Sequence, residues 1–367
     1  MAQASMVRHM ARQAVVETEA ISPTNVEWPN TDLESDLYGL STCALVRDLT
    51  LFAQHKGHRL LHQVRLGQSI LLLVACLVFQ KILLNQVLFH VCNKAVHDIR
   101  MAYSDFEQKV YEGHMVMISS EPFPQFRGLG GVTGPHFNAS VFHELDLQEQ
   151  AEICRIPLTQ PPFIMTVLFI WTLTCVAEFR KARDMFYSIV VNTERTESML
   201  HSMVQNEDAS CDDSDEMVIA RLTRSVKALL FCLVILPRVY ITGFLLWIGC
   251  RLLVATSNFS DVLLNACALE FILLLKDLLY LVCVPRKTAY DLDNTKLMPS
   301  QLKEPDSLRV FLGATWWAVF ALAVVFGYIG VHFGPGSYVN GVQVILPEYQ
   351  WDAHVVCQEW VAIRYEV

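Results

Sequence analysis

Two apolar runs stand almost back to back between Ala228 and Cys283: ALLFCLVILPRVYITGFLLWIGC and VLLNACALEFILLLKDLLYLVC, with a short polar hinge between them. Each is long enough to cross a bilayer, which takes about 20 apolar residues. Lipid offers no partner to backbone amides, so a run of this kind is stable there only as a helix. Both runs carry charge at a depth that lipid disfavours: Arg238 in the first, Glu270, Lys276 and Asp277 in the second. Such groups face protein or water and mark function or packing. The expected class is therefore an integral membrane protein.

Composition agrees. Of 367 residues 53% are hydrophobic and 18% charged, and the mean hydropathy is +0.33. A chain of this kind is too apolar for an ordinary soluble enzyme of its length. A net charge of −9 argues against a nucleic-acid partner. No secretory signal peptide is expected, because the first apolar run begins near Ser69 and is too long for a signal core. Cys76, Cys175, Cys232, Cys250, Cys267 and Cys283 fall inside apolar runs and read as packing residues. With no CxxC and no Cys/His spacing, neither a metal nor a cofactor is expected.

The fold predicted from these runs is an all-α integral membrane bundle of about five transmembrane helices with a small outer loop-and-tail cap. The spans are residues 66–92, which include Gln80 and Lys81, residues 163–179, two spans within 228–284, and residues 310–332. Residues 1–35 read as a disordered polar tail, and 36–65 as a cytoplasmic amphipathic segment. Residues 93–160 form an outer loop, 180–227 a cytoplasmic loop with the acidic run NEDASCDDSDE, 285–309 a second cytoplasmic loop, and 333–367 an outer tail. The tail is expected to hold short strands around 341–346 and 355–363.

Orientation follows from the basic residues. Lys56, Arg59 and Arg65, then Arg180, Lys181 and Arg183, then Arg221, Arg224 and Lys227, then Arg286 and Lys287 all fall on one side if five helices alternate. That side is cytoplasmic by the positive-inside rule and holds the N-terminus. The outer loop then carries the glycosylation sequon Asn138-Ala139-Ser140. It also begins with Cys92 and ends near Cys154, the expected disulfide pair, with Cys357 in the outer tail as the competing partner.

Among the intramembrane charges, Arg238 falls near the midplane and Glu270 about 12 Å below the outer surface, at about the depth of Lys81. Because the hinge makes their helices neighbours, Glu270 and Arg238 are the expected pair. Asp277, seven residues after Glu270, shares its face, while Lys276 points elsewhere and snorkels. A face with two carboxylates suits a cation path or proton relay; the competing reading is an ion pair that only fixes helix register. Pro237 beside Arg238 predicts a kink. The face His55, His58 and His62 reads as juxtamembrane and basic. A calcium loop beginning at Asp208 would need Gly at position six and Glu at position twelve, where the chain has Asp213 and Ile219, so the EF-hand pattern fails. No Ser-His-Asp order, catalytic carboxylate pair or phosphate-binding loop occurs, and no enzymatic activity is expected.

The segment RLLVATSNFSDVLLNACALEFILLLKDLLY, from Arg251 to Tyr280, resembles a segment of uncharacterised multi-pass membrane proteins of dinoflagellate algae. The likeness covers spans three and four only. It implies that Asp261, Asn265 and Glu270 belong to a recurring module and brings no activity with it.

The functional expectation is an ion channel or ion-coupled transporter with a central intramembrane carboxylate. The alternative is a non-conducting membrane receptor or scaffold whose charges only fix helix packing. The partners expected are the lipid bilayer, further copies of the chain in a homo-oligomer, and an extracellular or lumenal partner of unknown kind.

Overall fold

The computed structural model describes residues 31–53, 59–110, 115–117, 126–128, 139–197, 203–205, 217–297, 308–333, 345–346 and 352–365. Asn138, His55, His58 and the acidic run 206–216 lie outside them. In chain order the elements are β1 (Thr31–Asp32), α1 (Leu37–Ala53), α2 (Arg59–Gln86), α3 (Asn93–Val110), β2 (Met115–Met117), β3 (Phe126–Gly128), α4 (Ala139–Glu144), α5 (Leu147–Cys154), α6 (Pro161–Phe186), β4 (Glu194–Arg195) and β5 (Met203–Gln205). Then follow β6 (Met217–Ile219), β7 (Arg221–Leu222), α7 (Arg224–Leu230), α8 (Leu236–Ala255), α9 (Phe259–Cys283), α10 (Arg286–Asp293), β8 (Thr295–Leu297), α11 (Leu308–Phe333) and α12 (Asp352–Tyr365).

The chain is overwhelmingly helical, and three helical segments are long and apolar enough to cross a membrane: Leu60–Phe106, Pro161–Asn192 and Arg224–Ala255. Each contains a π-turn, at Val87–Cys92, Tyr187–Asn192 and Phe231–Ile235. The third lies immediately before Pro237. A proline ring has no N–H to offer the preceding turn, and widening that turn lets other amides reach its carbonyls. The sequence alone predicts the break but not its π form.

The first of these segments, 47 residues long, measures about 70 Å at 1.5 Å per residue. That is more than twice the hydrocarbon thickness of about 30 Å. Its second part, α3, packs against α8, α4 and α5 and buries Val96, Ile99, Tyr103 and Phe106 at the end opposite Arg180, Lys181 and Arg183, hereafter the far end. The end that carries those three residues is the basic end.

At the basic end the structure departs from expectation. The segment before span one is not a two-faced surface helix: every residue of α1 from Leu37 to Val46 is buried, because α2, α9 and α10 pack around it. Its hydroxyls are satisfied locally, Ser41, Thr42 and Thr50 each donating to the carbonyl one turn earlier. Asp291 of α10 binds Arg47 at 2.9 Å and Arg65 at 2.6 Å, so one carboxylate ties α1 to the start of α2. Asp48 meets His62 at 3.1 Å. A small sheet in the order β1-β8-β6-β5 joins residues distant in sequence, with Thr31 opposite Leu297, Met217 beside Thr295 and Met203 opposite Ile219. Strands β4 and β7 pair parallel, with Glu194 beside Arg221.

At the far end α12 docks on α5. Cys154 is bonded to Cys357, and Cys92 is a buried free thiol. The expected Cys92–Cys154 pair is therefore wrong: Cys92 sits within the helical segment, packed in the core with Leu84 and Val96, while Cys154 ends α5 and faces the tail. His354 reaches the Thr159 carbonyl at 2.7 Å and Arg100 donates to the Ile345 carbonyl at 2.7 Å. Residues 355–363, expected as a strand, are helical, since Ala353, Val356, Cys357 and Trp360 repeat at helical spacing toward α5. A single protease nick between residues 154 and 357 should leave two fragments that comigrate without reductant and separate with it. Separation without reductant would remove the bond.

Candidate functional site: a buried charge layer

The apolar core is divided in two. One cluster, toward the far end, includes Leu84, Leu168, Cys175, Ile241 and Leu273; the other, toward the basic end, includes Leu73, Cys76, Met185, Ile235 and Tyr280. Between them the long packed helices supply the buried Gln80 from α2, Arg238 from α8 and Lys276 from α9, and the partly buried Glu178 from α6. Glu178 follows Pro161 by 17 residues, Arg238 precedes Ala255 by 17 and Lys276 follows Phe259 by 17. All three thus lie about 26 Å from the far ends of their helices, in one layer. Gln80 donates to the Ile272 carbonyl at 3.0 Å, one turn before Lys276.

Two more carboxylates come from outside the helices. The segment that leads into α1 carries Glu34 and Asp36, and α1 is buried deeply enough to bring both to the layer. Asp36 caps α1, its Oδ1 accepting from the Gly39 amide at 2.8 Å. Its Oδ2 stands 3.1 Å from Lys276 Nζ and 3.9 Å from Arg238 Nη2. Glu34 Oε2 accepts from Arg238 Nη2 at 2.8 Å. Glu178 bridges the cations, Oε2 at 2.9 Å from Arg238 and Oε1 at 3.5 Å from Lys276. Lys181, on the exposed side of α6, meets the same Oε1 at 3.3 Å. Asp277, 37% exposed, lies 3.4 Å from Lys276 at the other edge. The Tyr38 ring packs 4.9 Å beneath the Arg238 guanidinium.

Arg238 is 1% exposed and directs Nη2 alone at its carboxylates, leaving Nε and Nη1 buried without an acceptor among the described residues. Arginine–carboxylate pairs are frequently bidentate, two parallel N–H bonds to one carboxylate; Arg238 instead shares Nη2 between Glu34 and Glu178. At the outer edge, burial pushes the Glu34 carboxyl above the usual glutamate range, against the pull of Arg238. Its proton is therefore bound more tightly in the folded chain than in the unfolded one. Acidification toward the ordinary glutamate range neutralises it first in the folded state.

The residues singled out in sequence are placed differently. Arg238 does not meet Glu270. Helix α9 presents Lys276 inward and Glu270 outward, and Glu270 is exposed. Lys276, expected to snorkel, is buried because three carboxylates within 3.5 Å hold its Nζ in the layer. Lys81 also stands apart, its Nζ 3.1 Å from the Tyr240 hydroxyl and 4.1 Å from the Phe244 ring centre. Asp277 alone of the expected acids joins the cluster. Of the resembling segment, Asp261 is exposed and Asn265 donates to Thr256 at 3.0 Å across the hinge. Glu34, Asp36 and Glu178 were missed. Glu178 carried a usable signal, an acid one residue inside the end of an apolar run; Glu34 and Asp36 carried none, since nothing local marks a polar tail for burial.

No family model, curated protein or solved structure matches the chain.

Proposed function

We propose that the chain is a multi-pass membrane protein that conducts an ion or couples to one, with Glu178 as its central carboxylate. Five helices cross the membrane in this reading: the three long apolar segments, α9 and α11. Helix α9 has 25 residues but carries Asp261, Glu270, Lys276 and Asp277, and α11 contributes the apolar stretch Thr315–Val331. Large apolar side chains are exposed on each, including Phe79, Ile170, Trp247, Phe271 and Phe326, which suits a surface covered by lipid. The basic end faces the cytoplasm and holds the N-terminal segment.

The observation that carries the reading is the geometry of Arg238. One nitrogen shared by two carboxylates, with two buried nitrogens lacking an acceptor among the described residues, is a poor static pair and a ready exchanger of partners. The acids run from Glu34 at one exposed edge through Asp36 and Glu178 to Asp277 at the other, with the cations between them. Protonating Glu34 weakens one of the two contacts that tie Arg238 to the N-terminal segment, Asp36 keeping the other at 3.9 Å, so that segment is loosened at the cytoplasmic side. Glu270 falls 11 residues into α9, about 17 Å from its far end. A carboxylate exposed at that depth needs cover from protein, which a homo-oligomer supplies.

One observation favours the alternative, a receptor or scaffold with purely structural charges: Glu178 and Lys276 each have opposite charges on both sides. The two readings separate in proteoliposomes under imposed proton, sodium and potassium gradients. Ion movement that Glu178→Gln abolishes or re-selects, in a variant that still elutes as folded protein, supports coupling. A wild type that moves no ion under any gradient, with Glu178→Gln only lowering the unfolding temperature, supports the alternative.

A further inference from the structure

The cytoplasmic rim carries a second feature that the ion reading does not use. The cleft between the end of α6 and the start of α7 has a volume of about 570 Å³ and is lined by Phe186, Val190, Arg195, Arg224, Lys227 and Phe231. The strand pair β4–β7 holds its two sides together, Arg195 lying on β4 beside Leu222 and Arg224 two residues beyond Leu222. Lys227 is buried, and its Nζ donates to the carbonyls of Val190 and Thr193. It therefore fixes the wall. Arg195 and Arg224 are exposed and meet no acid among the described residues; the nearby Glu194 is held by Arg221 at 3.1 Å. Phe186 and Phe231 meet edge to face with centres 5.9 Å apart.

The level of the cleft follows from α6. Arg183 stacks on the Trp317 ring at 4.9 Å, and tryptophan belongs at the membrane interface. Phe186 and Val190 lie three and seven residues further along the chain, about 5 and 10 Å toward the cytoplasm. That interval corresponds to the headgroup zone between the hydrocarbon core and water, about 5–8 Å thick on each side. Two exposed guanidinium groups beside aromatic and aliphatic walls at headgroup level match an anionic headgroup with the upper part of its acyl chain.

We propose that this cleft binds an anionic phospholipid of the cytoplasmic leaflet, its phosphate held between Arg195 and Arg224 and its acyl chain against Phe186 and Phe231. The proposal rests on the membrane reading but not on ion coupling.

The test uses the full chain in mild detergent, with lipid retention followed by native mass spectrometry against phosphatidylglycerol and phosphatidylcholine. Wild type should retain phosphatidylglycerol over phosphatidylcholine. One basic side chain near an anionic headgroup contributes about fivefold, so Arg195→Gln with Arg224→Gln should weaken phosphatidylglycerol retention about 25-fold. The control pair Arg286→Gln with Lys287→Gln, at the same end but outside the cleft, should leave it near wild type. Equal loss in both pairs would mean a diffuse field, and unchanged retention in the first pair would mean no site; either overturns the proposal. Displacement by millimolar inorganic phosphate would mark a soluble-anion site and overturn the lipid assignment. Phosphatidylglycerol binding that emerges only when the acidic residues of 206–216 are neutralised would mean that the chain fills its own cleft, which also overturns it. Release of the protein from membranes by alkaline carbonate would defeat the membrane reading itself. Firm retention in the membrane without lipid preference would defeat this proposal alone.

Discussion

Replacing Arg238 with methionine should destabilise the folded protein by about 3–5 kcal/mol, the usual effect of removing one partner from a buried ion cluster. The variant keeps much of the side-chain volume and deletes the charge that meets Glu34 at 2.8 Å, Glu178 at 2.9 Å and Asp36 at 3.9 Å. Lys276 then faces Asp36, Glu178 and Asp277 with help only from Lys181 on Glu178, and the acids repel one another in a poorly solvated layer. The loss should be felt first at the N-terminal segment, because Glu34 anchors it to α8. Thermal unfolding in detergent gives the size of the effect, and limited trypsin digestion should cut α1 at Arg47 in the variant under conditions where wild type resists. Adding Glu178→Gln to Arg238→Met should recover part of the stability, since one uncompensated carboxylate goes with its partner. A single variant within about 0.5 kcal/mol of wild type, the scatter of ordinary surface substitutions, would show that the layer contributes little to folding. The ion reading would then rest on flux alone.

Gly249→Val should cost about 3 kcal/mol, the upper range for overpacking a well-filled interior. A Cβ at position 249 overlaps the Trp171 indole, its three nearest atoms all belonging to that ring. Helices α6 and α8 therefore approach closely at this point because one of them has no side chain there, the device by which membrane helices gain packing. Valine must either tilt the indole or part the helices. Glu178 and Arg238, on the same two helices, would separate with them. The partner change Trp171→Leu should restore much of the stability lost in Gly249→Val. By itself Trp171→Leu should cost less than an ordinary loss of a buried tryptophan, since it also removes an indole N–H that is buried without an acceptor among the described residues. If Gly249→Val melts with wild type, the close approach of α6 and α8 is not needed for stability.

Both predictions concern contacts between segments far apart in the chain, which no local property of the sequence encodes. Hydropathy and length are local properties, and lipid makes them decisive, since an apolar run with no water to bond its amides must be helical. The three long segments were legible for that reason, as was the break at Pro237. The charged residues inside the runs were legible as a problem that the fold had to solve. The solution was not, because each charge could turn either way about its helix. The short hinge suggested Glu270 for Arg238, yet α9 rotates Lys276 inward instead, and the acids that answer Arg238 come from α6 and from the polar segment before α1.

The cysteines teach the same lesson. Nearness to the membrane surface is readable from position and singled out Cys92 and Cys154, but pairing needs two β-carbons in reach. Only the docking of α12 on α5 brings Cys357 to Cys154. Helix α1 is the sharpest case. By itself it reads as half apolar and fit for a surface, and only α2, α9 and α10 closing around it make it core. The sequence by itself determined that this chain is helical, that several of its helices suit a membrane, and that charge must be accommodated among them, because those follow from each segment's own free energy in water or lipid. Which acid meets which base, which thiol meets which, and that a polar N-terminal segment completes a buried layer were decided by the tertiary structure, because each depends on helix rotation and on contacts between residues as distant in the chain as Asp36 and Lys276 or Arg47 and Asp291.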